Sequence, residues 1–559
     1  MTKMELTGAQ LIIRKLTEHK VNTVFGYPGG TALDLFDDLY KHSDQLTHIL
    51  TADECGAAHA ADGYSRSTGD IGVVFATSGP GATNLITGLA TAFMDSVPLL
   101  AITVNVSKNL IGHDAFQEIY ITGATMPVTK HNYFVDDIGK LPGVLDDAFK
   151  VAQSGRPGPV LVDVTKDVTA AGIDYSPGEY IPHQAGRKVQ TKVTRNELQA
   201  IADKINAAKK PVIFLGGGFA ARGRQPLIEL LNKADIPITH TIMAAGMIGF
   251  DNPRNLGIVG MHGSVAANTT MDEADVMLAL GTRFSDRVAL DPDKFAKNAV
   301  KIQVDIDESA FNKNVQVDHM VVDDAADFVR KLLPFIEEKH HDAWNERMLQ
   351  LKKHGITSDL DTPLPHPDEV IRDTCAMADK DTIYVTDVGQ HQMWAAQFLG
   401  DHNTYKFITS GGLGTMGFGY GAAIGAQIGN PDKRVIHITG DVSFHMCLNE
   451  ACTAVSHDLP IITVIMNNSV LGMVYQWQTI FKDKRYSATD PGRKTDFVKV
   501  GEGFGVHGYR AETRSEYIEA LKSAMKNSGP SWIEVKIDRN EKVLPFIPGG
   551  GSTEDMIIG

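Results

Sequence analysis

The residues best suited to chemistry are two short polar motifs in the last third of the chain. Gly440-Asp441 follows an apolar run at 434–439, and Asn467-Asn468 follows a second run at 461–466. Gly440 and Asn468 are 28 positions apart, about one β–α–β step, so parallel strands would deliver both motifs to the sheet edge where ligands bind. Because hard divalent cations prefer oxygen ligands beside phosphates, we predict that Asp441, the Asn468 amide oxygen and a nearby carbonyl hold Mg²⁺ against a diphosphate.

Apolar runs that alternate with helical patterns predict the framework for these motifs. In three successive segments, short runs rich in Val, Ile and Leu are followed by loops, several of them rich in Gly or Pro. This alternation is typical of doubly wound α/β folds, and we predict three parallel-sheet domains. Their predicted bounds are 1–175, 192–340 and 366–540, with a polar linker at 176–192 and a Gly-rich tail or lid at 541–559.

The composition indicates an ordinary globular protein and excludes several partners. Of the 559 residues, 43% are hydrophobic; the net charge is −15 and no Lys/Arg-rich block occurs, so we expect no nucleic acid partner. The longest apolar runs, such as 97–104, are too short to cross a bilayer, so we expect no membrane association. Four scattered cysteines and the lack of a signal-peptide pattern favour a cytoplasmic location.

The motif pair and a series of further segments resemble one enzyme family. Gly-Asp followed by Asn-Asn at this spacing resembles the thiamine-diphosphate motif. Nearly the whole chain is similar, in the same order, to the acetohydroxyacid synthase (acetolactate synthase) large subunit. The segments that carry this resemblance are TSGPGATN (77–84), DAFQE (114–118), TKHNY (129–133), SGRPGPVLVDVTKDV (154–168), GMHG (260–263), RFSDRV (283–288), VTDVGQHQMWAA (385–396), SGGLGTMGFG (410–419) and NNSVLGMVYQWQ (467–478).

The resemblance implies a carboligase of branched-chain amino-acid biosynthesis. Such an enzyme decarboxylates pyruvate on thiamine diphosphate and joins the remaining two-carbon unit to a second 2-oxo acid, either pyruvate or 2-oxobutyrate. The three domains would bind the pyrimidine, FAD and the diphosphate in that order. Mg²⁺ and a structural FAD are the further cofactors implied, and a small regulatory subunit is a candidate partner.

The resemblance places the catalytic acid in the first segment. Glu54 matches the glutamate that hydrogen-bonds N1′ of the cofactor's aminopyrimidine. A carboxyl group there favours the imino tautomer, whose N4′ can take the proton from C2 of the thiazolium. Gln117 and Gly29 match residues beside the reacting centre, and a glycine lets the backbone approach substrate. Met416 matches the apolar residue that holds the cofactor bent. The other cofactor contacts implied for the third segment are Gln390, His391, Gly440, Asp441, Ser443, Asn468 and Met473, with Asp441, Asn468 and Val470 on the metal.

The middle segment resembles the family's FAD-binding domain. Gly216-Gly217-Gly218 directly follows an apolar run, as a close approach of the backbone to a pyrophosphate requires. The FAD contacts implied are Arg156, Gly216, Gly217, Gly218, Met261, His262, Arg283, Asp305 and Asp324. The substrate contacts implied are Phe116, Lys130, Arg287 and Trp477, and a guanidinium such as that of Arg287 suits a carboxylate.

The domain order implies an oligomer. Glu54 lies in the first segment and Asp441 in the third, yet both would touch one cofactor. In the resembling family the two come from different subunits, so we expect a homodimer or homotetramer with two-fold symmetric sites.

The chain departs from the family pattern at several positions. Val442 stands where the family often has Gly, Asp53 where it usually has His, and His113 where it usually has Thr. The motif that often reads DDRVTG is here SDRVAL (285–290). Adjacent carboxylates at Asp53 and Glu54 would repel each other if both pointed inward. These departures bear on whether FAD is retained and on the reactivity of the active-site groups. They bear less on which residues form the site.

Two alternative functions stay open from the sequence. One is another thiamine-diphosphate enzyme acting on 2-oxo acids, such as pyruvate oxidase, and the other is a non-catalytic paralogue. Release of carbon dioxide from pyruvate separates the enzymes from the paralogue. The product, acetolactate as against acetate or acetyl phosphate, separates the two enzymes.

Overall fold

The computed structural model describes residues 4–178, 193–219, 221–353, 358–399 and 406–558. It contains three six-stranded sheets, each of them entirely parallel. The prediction of three doubly wound α/β domains is therefore confirmed. Most of the predicted linker, 179–192, lies outside the described residues.

The inner strands of the first domain's six-stranded sheet are buried on both faces. The strand at Leu99–Asn105, for example, is buried along its whole length, as expected when helices cover both sides of a parallel sheet. Its elements are β1 Met4–Thr7, α1 Gly8–Glu18, β2 Thr23–Gly26, α2 Leu33–Lys41, β3 Thr47–Leu50, α3 Glu54–Thr68, β4 Gly72–Thr77, α4 Pro80–Asp95, β5 Leu99–Asn105, α5 Ile121–Thr125, β6 His131–Val135, α6 Leu141–Gln153, β7 Val160–Thr165, α7 Lys166–Ala170 and β8 Gly172–Tyr175. The strand order in the sheet is β3-β2-β4-β5-β7-β6, and β1 pairs with β8 separately.

The central domain repeats this layered design with its own apolar core. Its elements are α8 Arg195–Ala207, β9 Pro211–Leu215, α9 Arg224–Ala234, β10 Ile238–His240, β11 Asn255–Ile258, α10 Val265–Glu273, β12 Val276–Leu280, β13 Val300–Asp305, β14 His319–Val322, α11 Ala325–Leu332 and α12 Asp342–Lys353. The strand order is β11-β10-β9-β12-β13-β14.

The third domain carries both polar motifs of the sequence at strand ends. Its elements are α13 Pro367–Met377, β15 Ile383–Thr386, α14 Gln390–Phe398, β16 Lys406–Ile408, α15 Phe418–Gly429, β17 Val435–Gly440, α16 Asp441–Phe444, α17 Ala451–Ser456, β18 Ile462–Asn467, α18 Gly472–Phe481, α19 Phe497–Phe504, β19 His507–Ala511, α20 Arg514–Ala524 and β20 Ser531–Lys536. The order β16-β15-β17-β18-β20-β19 makes β17 and β18 neighbours.

The first and third domains pack through α3 and α15, which contact each other closely along their length. A Cβ at Gly63 would overlap the carbonyl of Ala422, and one at Gly425 would overlap the carbonyl of Ala60. Glycine is therefore required at both positions for the backbones to approach this closely. The contact matters for function because α3 begins at Glu54 and α15 begins two residues after Met416.

The end of the chain packs onto the central and third domains. Phe546 is fully buried, its N–H and carbonyl pair with Ile557, and the Ile547 N–H donates to the Met261 carbonyl. The predicted tail or lid is thus docked over 543–557. Within the described ranges, no helix is both long and apolar enough to span a membrane.

Candidate active site

The two polar motifs meet at one edge of the third sheet. Gly440 at the end of β17 lies in register with Met466 of β18, so Asp441 and Asn468 follow neighbouring strands. Both side chains line one pocket. The residues around this pocket all belong to the third domain: Val388, Gly389, Gln390, His391, Trp394, Met416, Gly440, Asp441, Val442, Ser443, Met466, Asn468, Val470, Leu471, Gly472, Met473 and Val474. They include every residue implied by the resemblance for the diphosphate and metal, with Met416.

His391 carries a buried polar atom that has no partner among the described residues. Its Nε2 is unsatisfied, and burial lowers the pKa of this imidazole to about 4. A neutral ring nitrogen in a buried pocket calls for a hydrogen-bonding ligand. Two glycines keep the pocket open, because a Cβ at Gly440 would press on His391 and one at Gly472 would overlap Gln390. This cradle fits a diphosphate.

Asp441 has the character of a cation ligand. It is almost fully buried, and burial raises the pKa of its carboxyl group to about 7, although Lys536 works against the shift. A buried carboxylate is stabilised by a bound cation. Nearby, the Asn468 side chain donates to Gln390 Oε1 at 3.1 Å, and its Oδ1 accepts the Val470 N–H at 3.3 Å. Asp441, Asn468 and Val470 thus lie together, and their oxygen atoms match the preference of Mg²⁺.

A buried network behind the pocket holds its walls together, and sequence reasoning missed it. The Asp387 carboxylate accepts hydrogen bonds from His437 Nε2 at 3.2 Å, Thr439 Oγ1 at 2.9 Å and the Gly419 N–H at 2.9 Å. Although burial acts to raise it, these contacts keep the pKa of Asp387 below its usual range. Asp387 thereby joins the end of β15 to β17 and to the start of α15. The position of Asp387 directly after an apolar strand is the sequence feature from which it could have been identified.

The loop that carries Met416 is held by the first domain of the same chain. The Asp95 carboxylate accepts the N–H groups of Gly411 and Gly412, at 3.2 and 2.7 Å. Thr91 and Thr415 share a hydrogen bond of 2.7 Å. Arg66 donates to the Thr409 carbonyl and pairs with Asp95 at 3.0 Å.

Glu54 lies outside the pocket that the third domain forms. It begins α3, is 7% exposed, and accepts a hydrogen bond from Asn84 Nδ2 at 3.0 Å. The Asp53 carboxylate instead caps the helix by accepting the Gly56 N–H at 2.7 Å. Asp53 is therefore engaged locally. Asn84 belongs to the TSGPGATN segment, so its motif was noticed but its role was not.

The other first-domain residues implied for the reaction differ in their surroundings. Gln117, at φ 61°, packs against Gly79, and Gly29 packs against Thr77. Phe116 is 88% exposed. Lys130 instead points to the end of α6, where its amine donates to the carbonyls of Val151 and Ser154. Burial lowers the pKa of Lys130 to about 8.

The residues implied for FAD gather near the ends of the central strands. Arg156 donates to Ser96 at 2.7 Å and lies 3.6 Å from Asp307. Burial and the charge of Arg156 lower the pKa of Arg283, while burial raises that of Asp305. Two neighbouring guanidinium groups form a setting for an anion such as a pyrophosphate.

Other FAD candidates have contacts within the chain. Gly216 and Gly218 approach the backbone of Gly281, the Gly217 Cα approaches Met243, and Asp324 caps α11 and pairs with Arg222 at 2.8 Å. Met261 is buried. His262 has an unsatisfied Nδ1 among the described residues, and burial lowers its pKa to about 4.

Trp477 joins an aromatic cluster beside the pocket. Its ring makes edge contacts with Phe481 and Phe546 at 5.8 Å, and Phe546 lies 5.3 Å from His262. The docked tail therefore connects α18 with the central domain. Phe546 was not identified from the sequence, because only the fold brings it to Trp477. Arg287 is mostly exposed and pairs with Asp286 at 2.8 Å.

Comparison with known proteins gives one consistent result. Three family models of thiamine pyrophosphate enzymes match the chain. They are the N-terminal TPP binding domain over residues 6–125, the central domain over 198–332 and the C-terminal TPP binding domain over 387–535. The chain is 42% identical to a probable acetolactate synthase large subunit of Methanocaldococcus jannaschii, covering 99% of this chain and 95% of the relative. It is 40% identical to the acetolactate synthase isozyme 1 large subunit of Escherichia coli, covering 100% and 98%. An acetolactate synthase of Mycobacterium bovis is 41% identical, covering 99% and 91%.

Proposed function

The chain belongs to the acetolactate synthase large-subunit family of thiamine pyrophosphate enzymes, and we propose that its pocket performs the carboligation of that family. The reaction takes pyruvate, releases carbon dioxide and joins the two remaining carbons to a second 2-oxo acid. The observation that carries the proposal is the third-domain pocket, in which Asp441, Asn468 and the unsatisfied His391 surround one space.

The chain's residues divide the work of holding the cofactor. When bound, thiamine diphosphate supplies an electron sink at C2 of its thiazolium. Gln390 and His391 would hydrogen-bond the diphosphate, and Met416 would hold the cofactor bent. Asp441, Asn468 and the Val470 carbonyl would hold Mg²⁺ beside it, because these oxygens share one sheet edge. Val442 lines the same pocket and is part of its wall.

Glu54 would supply the proton-transfer group. Asn84 fixes its Oε2 at 3.0 Å, which leaves Oε1 for N1′ of the aminopyrimidine. A carboxyl group held there would exchange a proton with N1′, and its fixed orientation would favour the form of the aminopyrimidine that the cofactor's chemistry requires. Gln117 and Gly29 would border the reacting carbonyl, as the resemblance implies.

The active site would be shared between two copies of the chain. Glu54 is not among the residues of the third-domain pocket. In the first domain, Phe116, Tyr120 and Met126 are exposed apolar side chains. Such a surface suits a subunit interface, and two-fold symmetry would bring Glu54 of one chain to the pocket of its partner, twice per dimer.

The central domain would hold FAD as a structural cofactor, since the carboligation has no net redox change. Arg156 and Arg283 would face its pyrophosphate, with Gly216 to Gly218, Met261, His262, Asp305 and Asp324 around it. The supporting observations are the two neighbouring guanidinium groups and the unsatisfied His262 nitrogen. A small regulatory subunit is a further proposed partner, because the relatives are named as large subunits.

Substrate selection would fall to residues at the edge of the pocket. Arg287 would bind the carboxylate of a 2-oxo acid, because its guanidinium is exposed and its only ion pair in the described chain is with neighbouring Asp286. Trp477, in its aromatic cluster, would shape the space for the second substrate together with Phe116. The amine of Lys130 is held by the carbonyls of Val151 and Ser154, so this residue is not assigned to that space.

A product assay tests this function. The chain is incubated with pyruvate, thiamine diphosphate and Mg²⁺, with and without FAD, and acetolactate, acetyl phosphate and acetate are measured. We expect acetolactate. If the product is acetate or acetyl phosphate, the chain is an oxidase and not a carboligase. If no carbon dioxide is released, the chain is a non-catalytic paralogue.

A further inference from the structure

Glu450 is a buried carboxyl group that the proposed reaction does not use directly. It lies in the third domain, just before α17, and is 2% exposed. It is not among the residues of the diphosphate pocket. Its oxygens accept the Ala52 N–H at 3.1 and 3.2 Å and the Thr453 hydroxyl at 2.7 Å. The first of these contacts crosses from the third domain to the first, two residues before Glu54.

The start of α3 is shaped to receive this carboxylate. A Cβ at Gly56 would overlap Glu450 Oε1, so the absence of a side chain there makes the contact possible. Beside it, Asn449 Nδ2 lies 3.4 Å from Asp53 Oδ2, while the other Asp53 oxygen accepts the Gly56 N–H. Two adjacent residues of the third domain thus hold the turn from Ala52 to Gly56, which contains Glu54.

We propose that Glu450 is a positioning residue that fixes the start of α3 across the domain interface and so holds the Glu54 carboxyl group in place. The inference rests on the role proposed above for Glu54. A rotation about the backbone at 52 or 53 would move the Glu54 side chain, and a displacement of about 1 Å at a reacting group can cost about 100-fold in rate. The Ala52 contact removes that freedom.

The surroundings of Glu450 explain why the contact is specific. Burial raises the pKa of Glu450 to about 7, and the charge of Asp53 acts in the same direction, against the hydrogen bonds from Thr453 and Ala52. The other titratable groups that interact with it are Cys55, Tyr420 and Cys447, whose own pKa values are raised by burial, so they are neutral. A carboxyl group buried here is retained at a cost in desolvation, which a residue with only a packing role would not require.

The test compares Glu450→Gln and Gly56→Ala with Asp163→Asn. Gln keeps an acceptor but not the pair of equivalent oxygens. Gly56→Ala disrupts the same contact from the first domain, because the added Cβ would overlap Glu450 Oε1. Alanine favours a helix by about 1 kcal/mol over glycine, so faster exchange in this variant would not come from a lower helix propensity. Asp163 is the matched control, a 2% exposed carboxyl group whose partners are Thr103 and Asn105 and whose pKa burial raises to about 6.

The first readout is hydrogen–deuterium exchange of the protein without cofactor. We expect the amides of 52–56 to exchange about tenfold faster in both Glu450→Gln and Gly56→Ala, which corresponds to about 1.4 kcal/mol, and to be unchanged in Asp163→Asn. The second readout is the loaded enzyme, in which kcat and C2–H exchange of thiamine diphosphate should fall about tenfold while KM for pyruvate is unchanged.

Each outcome decides the proposal. Unchanged exchange at 52–56, or faster exchange with unchanged kcat, would overturn the positioning role. If Glu450→Gln does not fold, Gly56→Ala gives the same decision. A fully active Glu54→Gln would instead refute the proposed function of Glu54, and the exchange measurement on the cofactor-free protein would still report whether Glu450 holds the turn.

Discussion

The two halves of the proposed active site differ in how complete they are within one chain. The diphosphate half is a pocket whose walls all come from the third domain, between neighbouring strand ends and the loops that follow them. The half around Glu54 lies in the first domain, where Glu54 is buried at the start of α3 and Phe116, implied for the second substrate, is 88% exposed. A parallel sheet creates a binding edge by itself, whereas the proposed catalytic acid is held in the first turn of a helix, outside that pocket.

Hydrogen bonds between the first and third domains of the same chain nevertheless connect the two halves. The first domain holds the Met416 loop through Asp95 and Thr91, and the third domain holds the start of α3 through Glu450. Each half is thus braced by the domain that carries the other half.

Asp441→Ala should remove Mg²⁺-dependent binding of thiamine diphosphate, with a loss of affinity of at least about 100-fold, because among the described residues no other carboxylate lines the pocket. Quenching of the four tryptophans during cofactor titration measures this. The exposed Asp432→Ala in the same domain is the control and should bind normally. Unchanged metal dependence in Asp441→Ala would contradict the claim that the third domain forms the diphosphate half alone.

Glu54→Gln should leave cofactor affinity within a few-fold of normal but lower C2–H exchange by about 100- to 10,000-fold, since general acid–base groups contribute on that scale. Hydrogen–deuterium exchange of the bound cofactor, followed by NMR after acid quench, gives the rate. Equal rates in the two proteins would remove Glu54 from the reaction and with it the second half of the comparison.

Mixing the Glu54→Gln chain with the Asp441→Ala chain, each inactive alone, should restore activity to about one quarter of normal. With random pairing, half of the dimers are mixed, and each of these has one site free of both changes. The chains are dissociated, combined in equal amounts and reassociated, with mixed dimers verified by a tag on one chain. No recovery despite mixed dimers would mean that each chain builds its whole site.

Glu450→Gln should flatten the pH dependence of stability between about pH 4.5 and 7. Burial raises the pKa of Glu450 from 4.5 to about 7, so the folded protein binds the proton more tightly than the unfolded chain. Its contribution to the unfolding free energy therefore falls as pH rises through this range, by on the order of 3 kcal/mol.

Thermal unfolding midpoints of the cofactor-free protein at pH 5, 6 and 7 measure that slope. The slope should be smaller for Glu450→Gln than for the natural protein and unchanged for the exposed control Asp432→Asn. Parallel slopes for all three proteins would show that Glu450 does not titrate differently on folding.

Much of the fold and part of the site could be predicted from the sequence. Apolar runs punctuated by loops identified the three sheets, because strands covered on both faces must be apolar throughout. Asp441 and Asn468 were predicted as ligands because strand ends carry ligands in this fold class, and the structure brings them to one pocket. The Gly216 to Gly218 triplet looked like a pyrophosphate loop, yet two of its glycines are explained by a close approach to Gly281. A glycine in the sequence indicates only that another group comes close to the backbone. Whether that group is a ligand or another part of the chain depends on the fold.

The sequence by itself determined the domain order, the sheet edge at which Asp441 and Asn468 meet and the family, because each of these depends on patterns that are local along the chain. Only the tertiary structure decided the use of Asp53 as a helix cap, the hydrogen bond from Asn84 to Glu54, the docking of Phe546 on Trp477 and the contact of Glu450 with Ala52. Glu450 and Ala52 are 398 positions apart, and no local pattern records such a contact. It exists because the packing of α3 on α15 brings the third domain against the start of α3, where the part-buried Ala52 N–H finds its acceptor in Glu450.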